Sequence, residues 1–136
     1  IRDWLYVTDH CEALLTVLEN GNPGSIYNIG SGKETTNLQI IELIKTHLNN
    51  IYLNLNNPNK PFYELIPDRL GHDKRYSLQT SLITRELGWV SQTQLEEGLQ
   101  STVQWYVTNK QWLKQLMSGK YIEYYEQVYK SKWAGS

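Results

Sequence analysis

Apolar residues recur at helical spacing through most of this chain. Each run is bounded by residues that start or stop helices, so the chain is committed to several short amphipathic helices. Ala13, Leu14, Val17 and Leu18 form the first stripe, with Asp9 and Glu12 at capping-box spacing ahead of it and Gly21, Pro23 and Gly24 closing it. Leu38, Ile41, Ile44 and Leu48 form the second, for which Asn37 is the natural N-cap. Leu82, Ile83 and Leu87 form the third, closed by Gly88. Thr93 and Glu96 form another capping-box pair that opens a fourth, with Leu95, Leu99, Val103 and Tyr106 on one face, and Trp112, Leu113 and Leu116 extend the pattern. Beyond Gly119, Tyr121, Ile122, Tyr125, Val128 and Tyr129 make a last apolar-aromatic stripe.

Strand signals are fewer and confined to the first half. Residues 3–7 alternate apolar and polar as an extended entry to the first helix, and residues 26–29 read as a buried strand that stops at Gly30-Ser31-Gly32. Residues 63–66 read as a strand that delivers the charged stretch after them. Between these, residues 49–61 hold six asparagines and two prolines, a composition that favours turns over regular structure. The expected architecture is α/β, helix-rich with two or three short strands, as one domain over residues 1–136.

Several function classes are excluded early. Thirteen basic against fourteen acidic residues give a net charge of -1, which leaves no broad cationic face for a nucleic-acid backbone. Cys11 is the only cysteine, so the chain has no internal disulfide and no cysteine-rich zinc site, which fits a reducing, cytoplasmic setting. No apolar run approaches the roughly 20 residues of a membrane span. His10, His47 and His72 are scattered, without a metal-ligand spacing, and no metal is expected. There is no Gly-x-Gly-x-x-Gly turn for a dinucleotide pyrophosphate. Tyr106 and Lys110 match a Tyr-x-x-x-Lys spacing, but Tyr106 falls on the apolar face of its helix and reads as core. Opening on Ile1 and entering a motif at once, the sequence reads as a fragment of a longer chain.

Chemistry concentrates in residues 67–76, Pro-Asp-Arg-Leu-Gly-His-Asp-Lys-Arg-Tyr, which pack six ionisable side chains around one glycine. Gly71 permits backbone conformations closed to other residues, so the segment can bring N–H groups and alternating charge against a polar ligand, although a solvated turn is the commoner meaning of such a run. Arg2 can give a diphosphate two parallel charge-assisted hydrogen bonds, or pair with Asp3. Asn37 sits where a helix N-terminus favours an anion, or is a simple cap. Asp68, repelled by phosphate, can accept from ribose or base donors, and His72 can donate to phosphate or brace the loop.

Arg2-Asp3-Trp4-Leu5-Tyr6-Val7, Tyr27-Asn28-Ile29-Gly30-Ser31-Gly32, the block from Asp68 through Tyr76, and Arg85-Glu86-Leu87-Gly88-Trp89 resemble, in order and spacing, the C-terminal part of dTDP-glucose 4,6-dehydratases. The likeness runs from residue 1 to about residue 129. Related sugar-nucleotide epimerases share the first two blocks, whereas the third is particular to the dehydratases. Leu70 departs from the pattern, since those enzymes usually carry proline there. The resemblance implies the C-terminal substrate-binding part of an extended short-chain dehydrogenase/reductase, a Rossmann-type fold whose NAD-binding portion is absent from this chain. It implies that Arg2, Asn37, Asp68, Arg69, Leu70, Gly71, His72 and Tyr129 contact the dTDP part of dTDP-glucose. NAD and all catalytic residues are implied to belong to the preceding Rossmann portion. The complete enzyme would be a homodimer that oxidises C4 of the glucose with NAD, eliminates water across C5 and C6 and returns the hydride to C6. A dehydratase or epimerase for another nucleotide sugar, and a non-catalytic binding domain, are the alternatives.

Overall fold

The computed structural model describes residues 1–52, 61–68 and 70–117, with Gly119 and Glu123. Its elements run β1 (Arg2–Asp3), α1 (Val7–Asn20), β2 (Glu34–Thr35), α2 (Asn37–Ile51), α3 (Ser81–Leu87), α4 (Leu95–Thr108) and α5 (Lys110–Met117). The chain divides into two compact units, Ile1–Ser101 and Thr102–Ser136.

In the first unit, α1 lies against α3. Ala13 of α1 and Ile83 of α3 are fully buried with Trp89, and Leu5, Val17, Tyr27, Ile29 and Leu87 pack around them. Burying a side chain the size of Ile83 stabilises the unit by about 1.5 to 3 kcal/mol. Gly88 closes α3 in the left-handed region at φ 69°, where glycine alone meets no steric cost, and its N–H returns to the carbonyl of Thr84.

Several sequence expectations are corrected. Asp9 does not cap α1. It sits inside the first turn, 3% exposed, and its carboxylate accepts from Gln92 N at 2.9 Å, Thr93 N at 2.8 Å and Thr93 Oγ1 at 2.7 Å. The hydroxyl of Thr93 therefore goes to Asp9, and α4 starts at Leu95, one residue later than a Thr93 cap requires. Burial raises the Asp9 carboxyl's pKa, but the hydrogen bonds from the Thr93 side chain and the two amides outweigh it and hold the group below its ordinary value. The cap of α2 is Thr36, not Asn37: Thr36 Oγ1 accepts from Gln39 N, and the Gln39 side chain accepts from Thr36 N.

The two strands are only two residues long and pair antiparallel, Arg2 opposite Thr35 and Asp3 opposite Glu34. Among the described residues, 26–29 pair with no strand, because a strand is defined by its partner and none lies alongside. Their burial still alternates, with Tyr27 and Ile29 turned to the core and Ile26 85% exposed. Residues 63–66 are likewise irregular and mostly exposed.

In the second unit, Trp105 meets Tyr106 and Trp112 edge to face, with ring centroids 5.2 and 5.0 Å apart. Tyr106 is half exposed in this cluster rather than in a core, which corrects the expectation from its stripe. The stripe after Gly119 and most of the asparagine-rich connector lie outside the described residues.

Candidate functional site

β1 alternates its side chains across the strand, and the two go to different tasks. Asp3 accepts from Ser31 N at 2.8 Å, Ser31 Oγ at 2.5 Å and Gly32 N at 3.1 Å, so it anchors the 30–32 turn rather than pairing with Arg2. Gly30 leaves room for this anchor, since a Cβ there would stand 2.6 Å from Asp3 Oδ2 and the carboxylate would have to shift.

Arg2 turns instead onto the charged loop. Its Nη2 lies 2.8 Å from His72 Nε2 and donates to the Asp73 carbonyl at 3.2 Å, Nη1 donates to the Ile1 carbonyl at 2.7 Å, and the guanidinium carbon sits 4.5 Å from the centre of the Tyr76 ring. The loop holds this shape through its own contacts. His72 Nδ1 is 2.6 Å from Asp68 Oδ1, and Tyr76 Oη donates to Asp73 Oδ2 at 2.6 Å. Backbone bonds from Ile1 N to Lys74 O and from Tyr76 N to Ile1 O run the segment alongside residue 1. Gly71 has φ 69° at the turn, and Leu70 beside it is fully exposed. Arg75 donates to Glu34 of β2 at 2.7 Å; this bond, with a further one from Ser77, holds the Glu34 carboxyl below its ordinary pKa, and the Glu34 bond and charge raise that of Arg75.

The structure thus brings Arg2, Asp68 and His72 together. Asn37 is exposed in the first turn of α2, two residues beyond Thr35, the strand partner of Arg2, so the ladder carries that helix start toward the same end of β1. Arg69 and Tyr129 lie outside the described residues. Asp73 and Tyr76 touch Arg2, and Glu34 pairs with Arg75, although none of the three was among the expected site residues. The spacing of Asp73 and Tyr76 within the charged run was the available signal, whereas Glu34 is brought in only by strand pairing. A cavity of about 170 Å³ on other walls, including Trp4, Ser31, Lys33, Trp89 and Gln94, is lined by none of the expected residues. Lys33 Nζ donates to Gln94 Oε1 at 2.7 Å there.

The described residues do not fit a dinucleotide. The joint from β1 to α1 is Trp4-Leu5-Tyr6, without glycine. The one Gly-x-Gly of the sequence, residues 30–32, leads into β2, and its Ser31 and Gly32 amides already bond Asp3. Among the described residues no cluster of three His, Cys, Asp or Glu could hold a metal, and no helix is long and apolar enough to cross a membrane.

The first unit is helix-rich with a short antiparallel ladder, and it sets an arginine beside an acid–histidine loop. Residues 1–102 match the family described as GDP-mannose 4,6 dehydratase, and the chain belongs to that family. The dTDP-glucose 4,6-dehydratase of Shigella flexneri is 40% identical over 97% of this chain. The chain spans about a third of the curated relatives it matches, 36% in that case. Among solved structures, the dTDP-glucose 4,6-dehydratase of Bacillus anthracis in complex with NAD superposes with a TM-score of 0.71 at 40% identity, covering 84% of this chain and 33% of that one. The Streptomyces venezuelae dTDP-glucose 4,6-dehydratase, with NAD and dTDP bound, gives 0.70 at 36% identity over 81% and 32%. The fold is therefore that of part of an extended short-chain dehydrogenase/reductase, as the sequence blocks implied.

Proposed function

We propose that this chain is the C-terminal, nucleotide-binding portion of an NAD-dependent dTDP-glucose 4,6-dehydratase, a lyase that forms dTDP-4-keto-6-deoxyglucose. In this reading Arg2, Asn37, Asp68, Arg69, Leu70, Gly71, His72 and Tyr129 form the site for the dTDP part of the substrate, whether by touching it or by positioning the residues that do, and NAD is held by the remainder of the enzyme. The observation that carries it is the meeting of Arg2 with His72 and Asp73 across some 70 residues, in a chain 40% identical to enzymes of that name. Such a cation beside a left-handed glycine turn suits a diphosphate, and binding the nucleotide fixes where the sugar lies. The exposed apolar face of α1, Leu14, Leu15 and Leu18, together with Ile26, suits burial against that remainder. The complete enzyme is proposed to be a cytoplasmic homodimer that engages neither nucleic acid nor membrane.

Calorimetry with dTDP, UDP and GDP tests the reading, with dTDP expected to bind most tightly. The description of the matching family favours a second reading, a GDP-sugar dehydratase, and preference for GDP would select it.

A further inference from the structure

His72 is the middle member of a relay whose proton positions follow from its neighbours. Arginine has donors only, so His72 Nε2, 2.8 Å from Arg2 Nη2, must be the accepting, unprotonated nitrogen. The ring proton is then on Nδ1, 2.6 Å from the Asp68 carboxylate that accepts it. Both ring nitrogens are committed, which leaves His72 no N–H for a phosphate in this arrangement. Among the described residues Arg2 uses three of its five N–H bonds, on His72, Asp73 and Ile1, and the other two are the ones that would face a ligand.

We propose that Asp68 and His72 are positioning residues for Arg2, the carboxylate setting the His72 tautomer and the imidazole holding the guanidinium over Tyr76 for the diphosphate of the nucleotide. This rests on the function proposed above. An arginine ordered before its ligand arrives loses less freedom on binding. Asp68, whose own charge repels phosphate, acts through Arg2 and not by contact.

Two measurements on the full chain test it. Imidazole ¹⁵N NMR at mildly alkaline pH should show the Nδ1–H tautomer of His72, and lose that preference in Asp68→Ala; an Nε2–H tautomer in the unsubstituted chain overturns the relay. In dTDP calorimetry, Asp68→Ala and His72→Ala should each weaken binding about three- to tenfold, the cost of ordering one long side chain. His72→Gln, whose amide oxygen replaces Nε2 as acceptor, should recover most of that. Asp68→Ala should have no further effect in an Arg2→Ala background. Additive losses mean that Asp68 touches the ligand itself, and tighter binding by Asp68→Ala means that the loop restrains Arg2 unproductively; either overturns the proposal. Absence of any dTDP affinity in the unsubstituted chain removes the functional reading instead, and the tautomer still decides the relay.

Discussion

Asp9 and Thr93 are 84 residues apart in sequence, and the carboxylate of one receives both the amide and the hydroxyl of the other, at 2.8 and 2.7 Å. A buried carboxylate from the first helix thereby satisfies donors just ahead of the fourth. Asp9→Ala would leave the Thr93 and Gln92 donors unmet and should lower stability by about 3 kcal/mol in urea unfolding near neutral pH. Because its folded pKa is depressed, Asp9 stabilises the chain above the unfolded carboxylate value of about 3.9, and that contribution is lost as pH falls through the lower folded value. The gap between the unsubstituted chain and Asp9→Ala should therefore close below about pH 4. A gap that widens there would contradict the bonding described.

Thr36 and Asn37 separate stability from binding at the start of α2. Thr36→Ala removes one half of a reciprocal cap and should cost about 1 kcal/mol in denaturant unfolding. Asn37→Ala, at the first helical position and exposed, should change stability by less than about 0.5 kcal/mol while weakening dTDP binding. Equal stability losses from the two would return the cap to Asn37.

The helices were legible because an amphipathic stripe is a local record of burial, and the stripes over α1, α2, α3 and α4 all lie where helices form. Strands record a partner that the stretch itself does not contain. Residues 26–29 keep the period-2 burial of a strand without its ladder, and the true strands, two residues each, are too short for any period to show. Caps were misassigned for a related reason. Asp9 with Glu12, and Asn37 before an apolar run, are sound local signatures, yet Asp9 is claimed by residues 92 and 93, and the Thr-x-x-Gln pair of Thr36 and Gln39 outcompetes Asn37. In the site, Arg2 and the 68–72 loop were named from residue chemistry and resemblance. Their joining through His72 Nε2 is a long-range contact that spacing does not encode.

Gly30 offers a steric test of the anchor beneath Arg2. A methyl group there would meet Asp3 Oδ2 at 2.6 Å, whereas at Gly24, with φ 82°, nothing lies within 4 Å. Gly30→Ala should cost about 1 to 3 kcal/mol and loosen the 30–32 turn, and Gly24→Ala about 1 kcal/mol of backbone strain alone. Thermal unfolding of the two variants compares them directly, and an equal cost would show that the Asp3 carboxylate moves aside freely.

Arg2→Ala should weaken dTDP binding by about 1.5 to 3 kcal/mol, the range for hydrogen bonds to a charged partner. Arg2→Lys should recover little, since an ammonium cannot reach His72 and Asp73 together while also facing a diphosphate. An unchanged affinity in Arg2→Ala, measured by calorimetry, removes Arg2 from the nucleotide site, and an unchanged affinity in Arg2→Lys means that a point charge suffices there without the guanidinium fork.

The chain as given should yield no keto sugar from dTDP-glucose and NAD. Oxidation at a sugar carbon needs a hydride acceptor, which protein side chains do not provide. The Ser31 and Gly32 amides, in the sequence's one Gly-x-Gly, are spent on the Asp3 carboxylate, so a pyrophosphate would have to displace an anion that already fills the turn. Tyr106 is accessible, contrary to the core position its stripe implied, but access alone does not make it a general base. Its ring is engaged with Trp105, and no glycine-rich strand-to-helix joint exists among the described residues to bring a dinucleotide to it. Activity is expected only when the portion that the longer relatives possess is supplied. Incubation with NAD and dTDP-glucose, with the product assayed against a protein-free control, decides the matter: keto sugar above that control would mean that this chain contains the catalytic centre assigned here to the rest of the enzyme.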